Sequence, residues 1–216
     1  MKRKSVLFVV ILLLGLLMIS KNHLDKSFGD YFFKLIGLSP WTDHDETGLH
    51  LPALLGISLL VIGMSVTVRT YRPRYPKILS RVIISCVVFV LICPIVSEKV
   101  MFLLKHNSKG INSLDFSTKD SRCNVQTVET AIKANCSFTI FNYGSEEEVI
   151  IKPILIDRYS DIDIDVKEHV VSIAPHRKHL FSVQFDGTQK NGTGFAGTFN
   201  KVGIELEVSG VRKNIE

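Results

Sequence analysis

The chain has 216 residues, a formal net charge of +5 and an apolar fraction of 46%. Only four cysteines occur, which excludes a small domain held together mainly by disulfide bonds. Long apolar runs fill the first half, whereas the second half alternates apolar and polar positions between turn-forming residues. The sequence therefore predicts an α-helical membrane region over residues 1–106 and an all-β domain over residues 107–216.

Three apolar segments predict transmembrane helices, at about residues 5–20, 51–68 and 79–100. A spanning helix needs roughly 20 mostly apolar residues, because the hydrocarbon core is about 30 Å thick. The first segment is slightly short and follows basic residues, so a cleaved signal peptide stays open as an alternative. Bulky Met18 near the cleavage position favours a retained helix. The third segment extends either back past Arg81 or forward past Glu98 and Lys99, and the backward route, with Arg81 reaching the headgroups, is favoured.

The distribution of basic residues predicts how these helices are oriented. Two short segments hold eight basic residues and no acidic one: Lys2, Arg3, Lys4, Arg69, Arg72, Arg74, Lys77 and Arg81. Cytoplasmic loops carry such an excess, so we expect a multi-pass protein of the cell membrane with a cytoplasmic N-terminus. The loop at residues 21–50 and the C-terminal domain are then extracytoplasmic. Because these charges flank apolar segments, nucleic-acid binding is not predicted.

The outer loop contains a short amphipathic helix pattern. Ser27 and Asp30 have the spacing of a capping box. The apolar positions that follow helical spacing are Phe28, Tyr31, Phe32, Leu35 and Ile36. Two interpretations remain open, since such a helix is stabilised either by the membrane surface or by packing on the protein.

Seven segments after residue 107 have the alternation and length of β-strands. They lie near residues 113–117, 124–128, 131–142, 147–156, 163–173, 179–186 and 201–209. Strands of this number and spacing predict an antiparallel β-sandwich of the immunoglobulin-like or fibronectin-like type. The tryptophan that antibody domains place between two cysteines is missing, because Trp41 precedes the domain.

Two pairs of cysteines have different expected roles. Cys123 and Cys136 are the only cysteines in the predicted extracytoplasmic domain, and that compartment permits a disulfide bond between them. Two buried free thiols are the alternative. Cys86 and Cys93 lie on the third apolar segment, where apolar packing is the expected role.

A basic turn after Pro175 is the candidate surface for binding. It consists of His176, Arg177, Lys178 and His179. Such a turn suits contact with an anionic lipid or an anionic wall polymer, and a solvated hairpin tip is the alternative.

Acidic clusters in two segments resemble metal sites only loosely. Asp157, Asp161, Asp163 and Asp165 lack the glycine and the glutamate of an EF-hand loop. Residues 42–50 lack zinc-type spacing. No catalytic residue, metal ligand or cofactor is predicted.

These patterns lead us to expect a non-enzymatic integral membrane protein. Its extracytoplasmic β-sandwich is expected to bind a partner protein or a component of the envelope. The alternative is an accessory or assembly subunit of a multi-component membrane complex, such as a transporter or a sensor. The expected partners are the lipid bilayer and a protein of the membrane or envelope.

Overall fold

A computed structural model describes residues 2–43, 48–128, 131–155, 164–189, 196–200 and 202–215. Four helices come first, and an all-β region with antiparallel sheets follows. The chain divides into two compact units, Met1–Glu98 and Lys99–Glu216. The boundary falls inside the last helix, eight residues before the boundary expected from the sequence.

The helices are α1 (Lys2–Ile19), α2 (Phe28–Leu35), α3 (Leu51–Tyr71) and α4 (Ile78–Leu104). Within the described residues, only α3 and α4 are both long and apolar enough to cross a membrane. The apolar part of α1, Val6–Ile19, is shorter, because the helix begins with charged residues. The expectation of three such helices is therefore corrected to two.

Small residues allow α1 and α3 to pack closely in an antiparallel arrangement. A Cβ atom added to Gly63 would lie 2.7 Å from the backbone nitrogen of Leu12. A Cβ atom added to Gly56 would lie 3.0 Å from the carbonyl oxygen of Gly15. No side chain larger than hydrogen fits at either position without moving the backbone.

Helix α2 has the predicted capping box. The backbone N–H of Asp30 donates to the Ser27 hydroxyl at 3.0 Å, and the N–H of Ser27 donates to the Asp30 carboxylate at 3.2 Å. The helix buries Phe33 and Gly29 and leaves Phe32 and Leu35 exposed. One side of this helix thus packs on the protein, as one of the two interpretations expects, and the other side exposes apolar residues.

The structure describes nine strands in the second unit, arranged in two antiparallel sheets. The five-stranded sheet has the order β4-β6-β2-β1-β7, and the four-stranded sheet has the order β5-β3-β8-β9. Their bounds are β1 Leu114–Val128, β2 Ala131–Asn142, β3 Glu148–Ile154, β4 Ile164–Val166, β5 His169–Ser172, β6 Arg177–Gln189, β7 Ala196–Asn200, β8 Gly203–Val208 and β9 Val211–Ile215.

One hydrophobic core receives side chains from both sheets. The five-stranded sheet contributes Ile140 and Phe185, and the four-stranded sheet contributes Ile151 and Leu206. In β8 and the first part of β2 the buried side chains follow the alternation read from the sequence, whereas both faces of β2 are buried from Phe138 to Asn142.

Several strands differ from the prediction. Residues 113–117 and 124–128 belong to one strand, β1, which has an irregular register between Ser117 and Arg122. Residues 163–173 divide into β4 and β5, which lie in different sheets. Strands β7 and β9 were not predicted, because each is a short edge strand with few apolar residues.

Candidate functional site

The last turn of α4 packs on the β-strands of its own unit. The Phe102 ring lies 4.9 Å from the Tyr143 ring and 6.5 Å from the Phe141 ring, measured between centroids. The two residues that follow, Leu103 and Leu104, are 78% and 73% exposed. The unit therefore carries an exposed apolar pair at the point where the helix meets the sheet.

His176 is fixed by three contacts next to this helix end. Its backbone N–H donates to the Gly144 carbonyl at 3.0 Å, and its Nδ1 donates to the Tyr143 carbonyl at 2.7 Å. Its ring stacks on His106 at a centroid distance of 4.1 Å. The backbone has φ = 54°, a left-handed conformation that histidine adopts more readily than most residues and that persists where the surroundings fix it.

Cationic side chains surround the aromatic rings at the same place. The Nζ of Lys178 lies 5.2 Å from the Phe141 ring centroid, and the Nζ of Lys105 lies 5.1 Å from that of Tyr143. Lys105 also pairs with Asp115 at 2.8 Å. We call this surface the basal patch. Its members are Phe102, Lys105, His106, His176, Arg177 and Lys178, and the rings of Phe141 and Tyr143 are buried beneath it.

Two cations of the basal patch are not neutralised within the described chain. Arg177 and Lys178 are exposed, and neither forms an ion pair with a residue that the structure describes. Exposed, unpaired cations on a fixed turn attract anionic groups, and the neighbouring rings add cation–π contacts.

His179, the fourth residue of the predicted turn, has a different position. Its Nε2 lies 3.0 Å from both the amide nitrogen and the carbonyl oxygen of Ala174, so its role as acceptor or donor depends on its tautomer. Its ring stacks on Phe181 at 5.7 Å. The structure thus brings three of the four predicted residues into the patch and uses His179 to hold the preceding loop.

Sequence reasoning missed the members of the patch that precede β1. Lys105 and His106 directly follow α4, and only the folded chain brings them beside a turn 70 residues further on. Asn142 helps to hold that turn, because its side-chain amide donates to the carbonyls of Glu146 at 2.6 Å and Ala174 at 3.1 Å. The signal available in the sequence was this polar residue at an inward-facing position of β2.

The two cysteines of the domain lie opposite each other. Cys123 on β1 and Cys136 on β2 are register partners with a Cα separation of 4.0 Å, and a disulfide bond joins them. The cysteines of α4, Cys86 and Cys93, are free and partly exposed.

A charged group on the four-stranded sheet is internally neutralised. The guanidinium of Arg212 contacts Glu207 at 2.6 Å and Glu205 at 3.0 Å. The Glu207 and Glu205 carboxylates raise the pKa of Arg212 above its ordinary value. This face of the domain therefore lacks the excess positive charge of the basal patch.

The acidic clusters lie mostly outside the described residues. Asp157, Asp161 and Asp163 fall there, as do His44, Asp45 and Glu46. Asp165 is exposed and pairs with Lys152 at 2.9 Å. Within the described ranges, no group of three or more His, Cys, Asp or Glu side chains is arranged to hold a metal ion.

Comparison of the chain with protein-family models, with curated proteins and with solved structures found no match.

Proposed function

We propose that the chain is a multi-pass protein of the cell membrane with a cytoplasmic N-terminus and an extracytoplasmic immunoglobulin-like β-sandwich. In this proposal the sandwich binds an anionic envelope component or a partner protein through the basal patch, and the role is non-enzymatic. The observation that carries the proposal is the exposure of Arg177 and Lys178, without an ion pair in the described chain, on the turn that His176 holds against His106.

The exposed apolar surface of the helices supports the membrane placement. None of the 27 residues of α4 is buried, although the helix is almost entirely apolar. Leaving that surface in water costs about 25 cal/mol for each Å². A bilayer removes the cost, and it also accommodates the exposed Phe32 and Leu35 of α2.

The charge pattern and the α1–α3 contact support the orientation. The basic residues that flank α1 and α3 lie at the same end of these antiparallel helices, since Leu12 is next to Gly63 and Gly15 is next to Gly56. That end is the cytoplasmic one by the positive-inside rule. Helix α1 packs along α3 in this arrangement, so its basic first residues lie near the end of α3 that the proposal places in the cytoplasm.

Two sheets that share one core support the sandwich architecture. Inward-facing residues of both sheets are buried against one another, which is the defining feature of face-to-face sheet packing. The antiparallel pairing of the nine described strands in two sheets suits the immunoglobulin-like class.

The basal patch suits binding at a membrane surface. Each cation close to an anionic surface contributes about 1 kcal/mol, and an adjoining apolar pair favours the interfacial region. The contacts that fix His176 hold the turn in one conformation, so little ordering accompanies binding.

The proposal is tested with full-length protein in nanodiscs of neutral phosphatidylcholine, to which a poly(glycerol phosphate) chain is added. The Arg177→Gln/Lys178→Gln double variant should lose most of the binding. A matched double variant, Arg122→Gln/Lys133→Gln, removes two exposed cations from the five-stranded sheet and should retain it. An equal loss of binding in both double variants would contradict a role for the basal patch.

A partner protein is tested by affinity purification of the same variants in mild detergent. A stoichiometric partner that the wild type retains and the patch double variant loses would support the proposal. If both double variants retain that partner and the wild-type protein does not bind the polyanion, the proposal is contradicted.

The accessory-subunit alternative is favoured by one observation on α4. The helix has no fully buried residue and exposes many apolar side chains, so it offers surface to other membrane helices. Cross-linking from single cysteines along α4 discriminates the two functions. Specific cross-links to another membrane protein favour the complex, whereas their absence favours a separate anchor in lipid.

A further inference from the structure

A cavity of about 510 Å³ lies in the first unit, among α1, α3 and α4. Its walls are apolar, and they include Leu12 and Leu16 of α1 and Phe89 of α4. Tyr71, Tyr75 and Arg81 line the end of the cavity near the link between α3 and α4. The volume lies within the range of about 300–1,000 Å³ that is typical of small-molecule sites.

Arg81 has no negative partner in this part of the molecule. It forms no ion pair with a described residue, and the sequence contains no acidic residue between Glu46 and Glu98. Arg69 and Arg72 line a neighbouring surface depression and add to the positive charge. Arg81 is exposed at this end of the cavity, so the anionic group of a ligand can reach it.

Thr67 provides a second, independent indication of a ligand. The residue lines the cavity and is only 5% exposed. Its hydroxyl, Oγ1, has no hydrogen-bond partner among the residues that the structure describes. A buried hydroxyl without a partner costs about 1–3 kcal/mol, and a ligand with an acceptor at this depth would remove that cost.

We infer that this cavity binds one anionic glycerophospholipid of the inner leaflet. The phosphate contacts Arg81 and the two tyrosine hydroxyls, the glycerol ester carbonyl accepts a hydrogen bond from Thr67, and an acyl chain lies along the apolar walls. Basic pockets between transmembrane helices on the cytoplasmic side are suited to anionic headgroups. The inference rests on the proposed membrane placement and does not depend on the basal patch.

Cys86 lines the cavity and reports its occupancy, whereas Cys93 does not line it. The test uses unreduced full-length protein in a mild neutral detergent. The protein carries a Cys93→Ser substitution, so that N-ethylmaleimide labels Cys86. Phosphatidylglycerol or phosphatidylcholine with identical acyl chains is added. We expect phosphatidylglycerol to slow the labelling of Cys86 at a concentration roughly fivefold lower than the concentration of phosphatidylcholine that has the same effect. A difference of this size is what one cation near an anionic headgroup provides.

Substitutions at two basic positions identify the headgroup contact. Arg81→Gln should abolish the difference between the lipids, and Arg81→Lys should preserve it. Lys77→Gln is the matched control, because Lys77 lies four residues before Arg81, in the link between α3 and α4, and does not line the cavity. Equal protection by both lipids in the wild type, no protection, or an equal loss in Lys77→Gln would overturn the inference.

The role of Thr67 is tested by Thr67→Val, which keeps the shape of the side chain. Protection by both lipids should weaken, because both have the ester carbonyl, and unchanged protection would overturn the assignment of the hydroxyl. A protein that stays soluble without detergent would overturn the membrane placement itself. A detergent-dependent protein with unprotected Cys86 would overturn the lipid site alone.

Discussion

His176 shows how a single residue can fix the conformation of a surface turn. A left-handed backbone costs an ordinary side chain about 1–2 kcal/mol. Here the hydrogen bonds to Gly144 and Tyr143 and the stack on His106 offset that cost. The imidazole has a structural role that places the neighbouring cations, Arg177 and Lys178, at the surface.

The first prediction concerns substitutions at this position. His176→Ala should destabilise the β domain by about 2 kcal/mol, because it loses one hydrogen bond and keeps an unfavourable φ. His176→Asn should cost less, since asparagine tolerates the left-handed region. The midpoint of thermal unfolding in detergent measures both.

Arg177→Ala serves as the control, because an exposed residue without an ion pair should change stability by no more than about 0.5 kcal/mol. Equal effects of alanine and asparagine at position 176 would show that the backbone conformation is not the cause.

The second prediction concerns Cys123 and Cys136. The native protein should have a mass lower by two hydrogen atoms than the fully reduced form. Reduction should cost about 3 kcal/mol, since the bond closes a loop of roughly 14 residues, and that corresponds to well over 10 °C in the unfolding midpoint. Rapid alkylation of both thiols in the native, unreduced protein would rule out the bond.

At the scale of elements, a strand can be predicted from the sequence when its own residues alternate between apolar and polar. Strands β2 and β8 were recognised because their apolar residues alternate over six or more positions. Strands β7 and β9 have few inward apolar residues and exist through pairing with β1 and β8, which sequence periodicity does not report. The division of residues 163–173 has the same origin, because the chain changes sheets between Val166 and His169.

The sequence did not predict correctly how much of the first apolar run could cross a membrane. In the structure this run packs closely on α3, where Gly56 and Gly63 are buried against α1. The number of helices that meet a spanning length was overestimated, because the charged first residues belong to α1 and shorten its apolar part.

The third prediction tests the α1–α3 contact. Gly63→Leu should separate the two helices, since even its Cβ would lie 2.7 Å from the Leu12 backbone. We expect a loss of at least 2 kcal/mol, which is comparable to overpacking in a protein core. Thermal aggregation of the detergent-solubilised protein measures the effect.

Ser58→Leu is the matched control, because it adds a similar side chain at an exposed position of the same helix. A Gly63→Leu protein as stable as the Ser58→Leu protein would refute close packing at this contact.

At the scale of the whole molecule, the sequence predicted the division into a helical region and a β domain but not the basal patch. Composition and charge report which segments are apolar and which are basic, and these properties are local. The patch joins the end of α4 to the turn at His176, and the cavity joins three helices. Both depend on contacts between segments that are distant in sequence.

The fourth prediction tests the central claim, that the basic segments are cytoplasmic and the β domain is on the opposite side of the membrane. A reporter that is active only in the cytoplasm is fused either at Tyr75, in the link between α3 and α4, or after Glu216. We predict activity for the fusion at Tyr75 and no activity for the fusion after Glu216, because the two short segments hold eight basic residues and no acidic one, as cytoplasmic segments do. An active C-terminal fusion, with a silent fusion at Tyr75, would contradict it.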